Sequence, residues 1–369
     1  MPPNAQLKAL FDSGITAVLG DTSVTHALHD LQGPAPDQII AVGKAATAMA
    51  RAAHDKFPDA PVLIVTKYGH SKGAPATAEI IEAAHPVLDK NALVAGARLL
   101  QVVRAMPPGS HLLLLVSGGA SALAEAPVDG LDLTGLQARA QDMLASGADI
   151  HAMNAVRKKL SAIKGGKLLG QFTGAQVTTL AISDVEGDAL SVIGSGIGDA
   201  PPSPGFTFCP QIVASNAVAR TAVATTAKAQ GLTVNTNLET LYEDITMLGP
   251  ALAQALLDGP EGVHLWGGEP TVVLPPDPGQ GGRNQALALI LARALAGHDG
   301  ITVLVAGTDG TDGPTDAAGA IIDGRTWDET GADALRRADA GAWLEARGAV
   351  LKTGPTGTNV MDLVIALKQ

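Results

Sequence analysis

The chain has 369 residues, a net charge of −11 and a hydrophobic fraction of 46%, and only 3% of its residues are aromatic. This length allows two domains of ordinary size, whereas an acidic chain without a long basic run is unlike a nucleic-acid-binding protein. The longest apolar runs, such as residues 112–116, are far too short to cross a bilayer. The single Cys209 excludes an internal disulfide, and the N-terminus has no signal-peptide pattern, so we expect a cytoplasmic protein.

Short apolar runs, most of them ended by Gly, Ser or Asp, predict strands at residues 39–42, 62–66, 111–116, 178–183, 263–266, 271–274, 301–306 and 361–367. Helical patterns lie between them at residues 43–57, 155–169, 209–231, 238–257 and 283–297. Continuous apolar strands that alternate with helices favour an α/β fold with a mostly parallel sheet. A restart of the pattern near residues 232–262 suggests two domains, which we place at residues 1–240 and 241–369. Ligands of such folds bind at the carboxyl ends of the strands.

Two strand-to-helix turns in the first half of the chain are candidate anion sites. Lys44 follows the first strand at the start of a predicted helix, where a cation opposes the helix dipole unless an anion shares the site. The surrounding stretch is not a Walker A loop, because the required earlier glycine and the Ser or Thr after the lysine are missing. The turn SGGAS, residues 117–121, contains two adjacent glycines that let backbone N–H groups approach a carboxylate or phosphate. The alternatives are a solvent-facing lysine and an ordinary serine-capped turn.

Charged residues also cluster between residues 153 and 199. Arg157, Lys164 and Lys167 fall near one face of a predicted helix and could attract an anionic substrate or form a solvated surface. Asp184 and Asp188 follow a strand and could accept a proton or bind a metal through water, or simply form turns. The segment GSGIGD fails the dinucleotide fingerprint, because Asp replaces the last glycine and PPSP follows where a helix should begin.

The second half of the chain adds a candidate arginine. Glu269 follows one glycine pair, and Arg283 begins a predicted helix after another. A guanidinium at a helix start again opposes the dipole, and its planar fork suits bidentate binding of carboxylate or phosphate. The alternative is a surface arginine.

The stretch AGTDGTDGPTDAAG, residues 306–319, carries Asp309, Asp312 and Asp316. Three carboxylates this close repel one another unless a cation or arginine balances them. The spacing is not that of an EF-hand, but Mg²⁺ commonly takes one or two carboxylates together with substrate phosphates. We therefore expect a magnesium site here, with ordinary turns as the alternative.

These segments form part of an ordered set. In chain order the set reads VGKAATAMA, TKYGH, AAHPVLD, VSGGASAL, NAVRKKLSAIKGGKL, AISDVEGD, IGSGIGD, SNAVA, WGGEPTV, GGRNQALAL and AGTDGTDGPTDAAGA. It resembles the class II glycerate 2-kinases, historically also labelled hydroxypyruvate reductases, whose C-terminal part is the MOFRL domain. The resemblance covers almost the whole chain. Ala120, where many members have a third glycine, is a mild variation.

The resemblance implies ATP-dependent phosphorylation of the 2-hydroxyl of D-glycerate, with Mg²⁺, to give 2-phosphoglycerate. It also implies a larger Rossmann-like N-terminal domain, a smaller α/β MOFRL domain and an active site in the cleft between them. The lysine after VG and the arginine of GGRNQ are the family's expected functional residues, and they match Lys44 and Arg283. The TDGTDG loop matches Asp309 and Asp312.

Phosphoryl transfer requires positioning and charge neutralisation more than covalent chemistry, which leads to the following hypothesis. The 117–121 turn and Arg283 hold the glycerate carboxylate, Lys44 stabilises the transferring phosphoryl group, and Asp184 or Asp309 orients or deprotonates the hydroxyl. The candidate residues are, for catalysis, Lys44, Arg283 and Asp184; for substrate binding, Ser117, Gly118, Gly119, Ser121 and Arg157; for nucleotide binding, Lys44, Asp188, Asn216, Gly267, Gly268, Glu269, Thr308 and Gly310; and for the metal, Asp309 and Asp312.

Two other functions stay open from the sequence. An NAD(P)H-dependent hydroxypyruvate reductase would fit the historical label, although the failed fingerprint opposes it. A non-catalytic module that binds a small anionic metabolite would need the same cationic turns. In each case the expected partners are small molecules, not nucleic acid or membranes, and a homodimer is compatible with the sequence.

Overall fold

The computed structural model describes residues 1–31, 33–145 and 150–369. It contains two compact units, which we call the N-terminal unit, residues 19–215, and the C-terminal unit, residues 1–18 together with 216–369. The first helix, α1 (Pro3–Ala17), belongs to the C-terminal unit, where it packs on the helix that begins at Asn216. The bounds of these compact units differ from those of the predicted domains, residues 1–240 and 241–369. The division into domains at residue 240 stays a prediction.

The N-terminal unit alternates helices and strands, as the apolar pattern predicts. Its elements are α2 (Gly20–His29), β1 (Gln38–Val42), α3 (Ala46–Lys56), β2 (Val62–Lys67), β3 (Glu79–Ala83), α4 (Lys90–Ala105), β4 (His111–Val116), α5 (Ala120–Leu123), α6 (Leu133–Ala145), α7 (Ile150–Leu160), β5 (Gln176–Ile182) and β6 (Thr207–Ala214). Short 3₁₀ turns lie at Leu169–Gln171, Glu186–Asp188 and Ile193–Gly196.

All six strands of the N-terminal unit are parallel, in the order β3-β2-β1-β4-β5-β6. This is the strand order of a Rossmann-like, doubly wound sheet. The direction of winding reverses between β1 and β4, where Val42 pairs with Val116 at the carboxyl ends. Such a reversal opens a crevice that binds ligands in this class of fold, so the turns after β1 and β4 are its most informative segments.

The core of the N-terminal unit explains why its strands read as unbroken apolar runs. Every residue of β4 is buried, because helices cover both faces of a parallel sheet. One face of this sheet packs against α4 and α5 in a single cluster, to which β1, β2 and β4 contribute Ile40, Val42, Leu63, Val65, Leu112, Leu114 and Val116. None of the helices in the described ranges is both long enough and apolar enough to cross a membrane.

The C-terminal unit is also α/β, but its sheet is mixed. Its further elements are α8 (Asn216–Ala229), β7 (Val234–Leu241), α9 (Ile245–Asp258), β8 (Gly262–Gly268), α10 (Arg283–Ala294), β9 (Ile301–Gly307), β10 (Gly319–Asp323), α11 (Gly331–Arg336), α12 (Ala340–Glu345), β11 (Val350–Leu351) and β12 (Asp362–Lys368). The strand order is β11-β10-β9-β12-β8-β7. β12 runs antiparallel to both β8 and β9, so the start of β12 lies beside the ends of those two strands.

Several predicted boundaries are wrong. Residues 271–274 do not form a strand, and Val273 is 86% exposed. The predicted helix at 209–231 begins with the edge strand β6, and the one at 238–257 begins with the end of β7. The helix predicted at 155–169 ends at Leu160, and the one predicted from residue 43 begins at Ala46. In the four helical cases a helix is present, but a turn or a strand occupies some of the residues at one end of the predicted range.

Candidate active site

The turns after β1 and β4 are tied together by hydrogen bonds at the point where the sheet reverses its winding. The Lys44 N–H donates to the Gly118 carbonyl (2.9 Å), and the Ser117 N–H donates to the Val42 carbonyl (3.0 Å). The Ser117 Oγ accepts the N–H of Ala45 (3.1 Å), so this hydroxyl joins the two turns. Lys44 itself lies in the turn before α3, not in the first turn of the helix as its sequence position predicted.

The glycines of the second turn have two different roles. A Cβ added to Gly118 would lie 2.3 Å from Oδ2 of Asp184, so only glycine lets that carboxylate approach the turn. Gly119 has a φ of 83°, a left-handed conformation that favours glycine. Within the described residues, the N–H groups of Gly118 and Gly119 donate no hydrogen bond. The turn therefore presents backbone N–H donors, which are the groups that anion recognition requires. These donors lie close to Asp184.

Basic groups surround this turn. The side chains of Lys44 and His85 both lie against Gly119, with Cγ of Lys44 3.1 Å and Cδ2 of His85 3.0 Å from the position of an added Cβ. Burial, followed by the charges of Lys44, Lys67 and His70, lowers the pKa of His85 to about 4. Burial and Lys67 also lower the pKa of His70. Lys44 makes no ion pair with any of the described residues, which leaves a local excess of positive charge.

The basic segment 153–168 is not one cationic face. Lys164 is 1% exposed and pairs with Glu125 at 2.5 Å, and burial lowers the pKa of this lysine although Glu125 opposes the shift. Lys167 donates to two backbone carbonyls, those of Lys158 and Ser161. Both lysines therefore stabilise the fold. Arg157, on α7, is partly buried and has no acidic partner within the described part of the chain.

The remaining candidates of the N-terminal unit are Ser121, in the short helix α5, and Asp188, at the end of the Glu186–Asp188 turn. The Ser121 hydroxyl bonds to that of Ser195 (2.9 Å), which donates to Asn154 Oδ1 (3.2 Å). Asp188 has a φ of 53° and a buried Oδ1 that accepts no hydrogen bond from the described residues. A non-glycine residue in this region stores strain of a kind that is common at functional sites. The nucleotide-binding role of Asp188 stays a prediction.

In the C-terminal unit, Arg283 begins α10 and is held by two carboxylates. Its Nε lies 2.6 Å from Oδ2 of Asp362, and its Nη2 lies 3.0 Å from Oε1 of Glu269. Burial lowers the pKa of Arg283, but the ion pairs with Asp362 and Glu269 outweigh burial and raise it. Burial raises the pKa of Asp362, against the effect of Arg283. The guanidinium is one-third exposed, so it is fixed in orientation and still accessible.

Asp312 caps the same helix. Its two carboxylate oxygens accept the N–H groups of Asn284 (3.0 Å) and Gln285 (2.8 Å) at the start of α10. Burial raises the pKa of Asp312 to about 6, although these two N–H groups oppose the shift. A carboxylate at this position complements the helix dipole and offsets the unfavourable placement of Arg283. Both oxygens of Asp312 already accept hydrogen bonds from the start of α10. The role of Asp312 as a metal ligand stays a prediction.

Asp309 is the better fit for a cation. Its Oδ1 accepts the backbone N–H (2.9 Å) and the hydroxyl (3.0 Å) of Thr311, while Oδ2 accepts nothing from the described residues. These residues include no group of three acidic, His or Cys side chains that could hold a metal alone. A magnesium ion bound mostly by substrate phosphates and water needs only one or two carboxylates, and Asp309 fits that donor set.

Other predicted nucleotide-binding residues have structural roles. Asn216 is completely buried; its Nδ2 donates to the carbonyls of Val360 (2.9 Å) and Asp362 (3.0 Å). Thr308 is equally buried and bonds to the segment that precedes β12. A Cβ added to Gly267 or Gly310 would lie 1.7 Å from Asn216 Oδ1 or 2.1 Å from the Gly354 carbonyl oxygen. The nucleotide-binding roles of Asn216, Thr308, Gly267 and Gly310 stay predictions.

Sequence reasoning assigned no role to four residues that the structure brings to these sites. His70 and His85 lie in the quoted segments TKYGH and AAHPVLD, and Lys67 ends a strand in the first of them. Asp362 is the first residue of a strand that was predicted only for its apolar character. The available signal was position. Lys67, His70 and His85 lie at or just after the carboxyl end of a strand, and Asp362 begins a strand that pairs with the ends of its antiparallel neighbours.

Two family models match the chain. One is described as a domain of unknown function, DUF4147, and matches residues 6–228, which is more than half of the chain. The other is the MOFRL family, which matches residues 262–362. Together they span most of both compact units.

Individual relatives indicate the same family as the two family models. A D-glycerate 2-kinase of Thermotoga maritima is 38% identical over 96% of this chain and 95% of its own length, and a glycerate 2-kinase of Pyrococcus horikoshii is 34% identical over 89% and 86%. A relative from Agrobacterium vitis, 37% identical over 88% and 97%, carries a provisional name as a hydroxypyruvate reductase. The crystal structure of a glycerate kinase from Thermotoga maritima aligns with a TM-score of 0.92 over 99% of each chain at 34% identity. The chain therefore belongs to the glycerate kinase family with DUF4147 and MOFRL domains.

Proposed function

We propose that this protein is a cytoplasmic, ATP-dependent glycerate 2-kinase that transfers the γ-phosphoryl group of ATP to the 2-hydroxyl of D-glycerate. The observation that carries the proposal is the turn formed by Gly118 and Gly119. There, backbone N–H groups that donate to none of the described residues lie beside Asp184 and beside Lys44, which forms no ion pair with those residues. Cation, donors and base are the groups that phosphoryl transfer to an alcohol requires. The glycerate 2-kinases among the relatives support this choice of substrates.

The reaction forms one P–O bond and breaks another. The 2-hydroxyl oxygen of glycerate attacks the γ-phosphorus, the bond from that phosphorus to the β,γ-bridging oxygen breaks, and ADP leaves with the bond's electron pair. The hydroxyl proton passes to Asp184, which lies directly behind Gly118. Lys44 and the two glycine N–H groups stabilise the negative charge on the anionic oxygens, and preorganised donors of this kind supply a large share of catalysis.

In the C-terminal unit we propose that Arg283 binds an anionic group of the substrates, as in the hypothesis for the glycerate carboxylate. Asp362 and Glu269 hold its guanidinium at 2.6 and 3.0 Å, which fixes the direction of the N–H groups that remain. Binding energy is then not lost in ordering a long side chain. Arg283→Lys removes the planar fork while keeping the charge. We therefore expect the KM for one substrate to rise while the free energy of unfolding changes little.

Asp309 is our candidate ligand for Mg²⁺, which neutralises charge on the β- and γ-phosphate oxygens when bound. Asp312 supports this loop through its cap on α10. We expect Asp309→Asn to raise the Mg²⁺ concentration needed for half-maximal turnover, because it removes a charged ligand. Asp316→Asn is the matched control, since Asp316 is 78% exposed in the same loop. Equal effects of the two changes would contradict the assignment.

The decisive experiment is a coupled assay on the purified protein with ATP, Mg²⁺ and D-glycerate. ADP release shows the kinase reaction, and a lag-free signal with enolase alone shows that the product is 2-phosphoglycerate. Loss of nicotinamide absorbance with hydroxypyruvate, without ADP release, would replace our proposal with the reductase. Thermal stabilisation by glycerate without either reaction would indicate a binding module.

A further inference from the structure

His85 is the side chain nearest to the Gly118–Gly119 turn that the mechanism above does not use. It follows β3, and its Nε2 and Cδ2 lie 3.2 and 3.0 Å from the position of a Cβ added to Gly119. The stem of Lys44 lies 3.1 Å from the same position. The imidazole and the lysine therefore flank one glycine whose N–H group has no acceptor among the described residues.

The charges that shift the pKa of His85 come from basic groups, Lys44, Lys67 and His70. The acidic groups Glu82 and Asp89 are engaged elsewhere: Glu82 accepts the N–H groups of Gly69 (3.0 Å) and Ser71 (3.2 Å), and Asp89 caps α4 and accepts the hydroxyl of Tyr68 (2.7 Å). Asp184 faces the turn from behind Gly118. The titratable and charged groups that face the imidazole, or lie next to those that do, are Lys44, Lys67, His70, Glu82, Asp89 and Asp184.

We propose that His85 is a substrate-binding residue whose imidazole contacts an anionic oxygen bound at the Gly118–Gly119 turn beside Lys44. This inference rests on the proposed function, since the anion is either the carboxylate of glycerate or a phosphate oxygen of ATP. Without the anion, the imidazole is neutral at physiological pH, because burial and the neighbouring cations lower its pKa to about 4. An anion at the turn offsets those cations and raises the pKa of His85, so at mildly acidic pH the complex binds more protons than the free protein does.

Proton uptake gives the contact a signature that a purely structural histidine lacks. If the bound anion raises the pKa of His85 to its ordinary value near 6.5, the affinity of the protein for that anion is about tenfold higher at pH 5.5 than at pH 7.5. The sign follows from linkage, because the bound state holds the extra proton and lower pH favours it. The carboxyl group of glycerate itself stays ionised across this range, since α-carboxyl groups titrate near pH 3.5.

The test is an NMR titration of the histidine ring signals in the full-length protein, without ligand, with D-glycerate and with a non-hydrolysable ATP analogue. His85→Gln assigns the signal and retains a hydrogen-bond donor near Nε2 without a titratable group. Calorimetry then measures glycerate affinity at pH 5.5 and 7.5 for wild type, His85→Gln and His70→Gln. His70→Gln is the matched control, because His70 lies in the same cationic cluster.

We expect one of the two ligands to raise the His85 pKa by more than one unit, and its identity shows which anion occupies the turn. If that ligand is glycerate, its affinity should depend on pH in wild type and in His70→Gln, and not in His85→Gln. If neither ligand moves the His85 pKa while the wild-type protein phosphorylates glycerate, the contact is refuted and the proposed function stands. A protein that binds neither ligand refutes both.

Discussion

The space behind Gly118 gives the sharpest test of the proposed base. A Cβ at this position would lie 2.3 Å from Oδ2 and 2.9 Å from Cγ of Asp184. The φ of Gly118 is not in the left-handed region, so alanine fits the backbone and meets only the carboxylate. Gly118→Ala should therefore move Asp184 and leave the fold in place.

The distances set the size of the effect. Because an ordinary contact begins near 3.4 Å, the carboxylate must move by roughly 1 Å, and a misplacement of that size costs about 100-fold in rate. This factor corresponds to about 2.7 kcal/mol of transition-state stabilisation. The free energy of unfolding should change by no more than about 1 kcal/mol, the usual range for Gly→Ala at a compatible conformation.

The assay is kcat/KM from ADP release, with thermal unfolding measured in parallel. Gly170→Ala is the matched control, since Gly170 lies in the same unit and an added Cβ there meets no atom within 4 Å. In an Asp184→Asn background the Gly118→Ala change should have little further effect, because both act on one group. Near-normal turnover in Gly118→Ala, or an undiminished effect in that background, would refute the role of Asp184.

Three further predictions concern single side chains. Lys44→Met should lower kcat by about 100- to 1,000-fold at an unchanged melting temperature. The control Lys90→Met, at the exposed first position of α4, should leave kcat unchanged, and steady-state kinetics on both variants tests this. Asp312→Asn removes one acceptor from the start of α10 and should lower the free energy of unfolding in urea by about 1 kcal/mol. Because the folded pKa of about 6 exceeds the unfolded value near 3.9, the wild-type protein loses stability relative to Asp312→Asn as pH rises through 6, so the difference should grow from pH 7 to pH 5; a shrinking difference would contradict the raised pKa. Gly267→Ala forces a Cβ to within 1.7 Å of Asn216 Oδ1 and should cost about 1–3 kcal/mol in thermal unfolding, so a wild-type melting temperature would exclude this packing.

The strands that the sequence predicts correctly are those buried on both faces. Residues 111–116 and 301–306 lie in β4 and β9, where every residue is buried. Most of the strands that were not predicted are edge or polar ones. β3 has the sequence EIIEA and two exposed residues, and β7, at the edge of the mixed sheet, has the sequence VNTNLETL, with three apolar residues among eight. A half-exposed strand carries a weaker apolar signal than a buried one, and neighbouring helical residues can mask it.

The candidate site shows a similar limit. Sequence position identified Lys44, Gly118 and Asp184, because each follows a strand, and parallel strands end at one edge of the sheet. It could not distinguish a carboxylate that caps a helix from one that is open to a metal, since Asp309 and Asp312 have the same neighbours in sequence. The difference depends on α10, which begins 29 residues before Asp312 in the chain and brings its N–H groups to that carboxylate alone.

The same physical argument predicted Lys44 and Arg283, and the structure separates them. A cation at a helix start is unfavourable by itself, and the protein compensates for the two in different ways. Arg283 receives its negative charge from within the fold, through Asp362, Glu269 and the cap of Asp312. Lys44 receives none from the described residues, and its histidine neighbour is neutral. We propose that an anionic ligand supplies the charge that stabilises Lys44, which makes the Gly118–Gly119 turn the stronger candidate for the site where an anionic substrate binds.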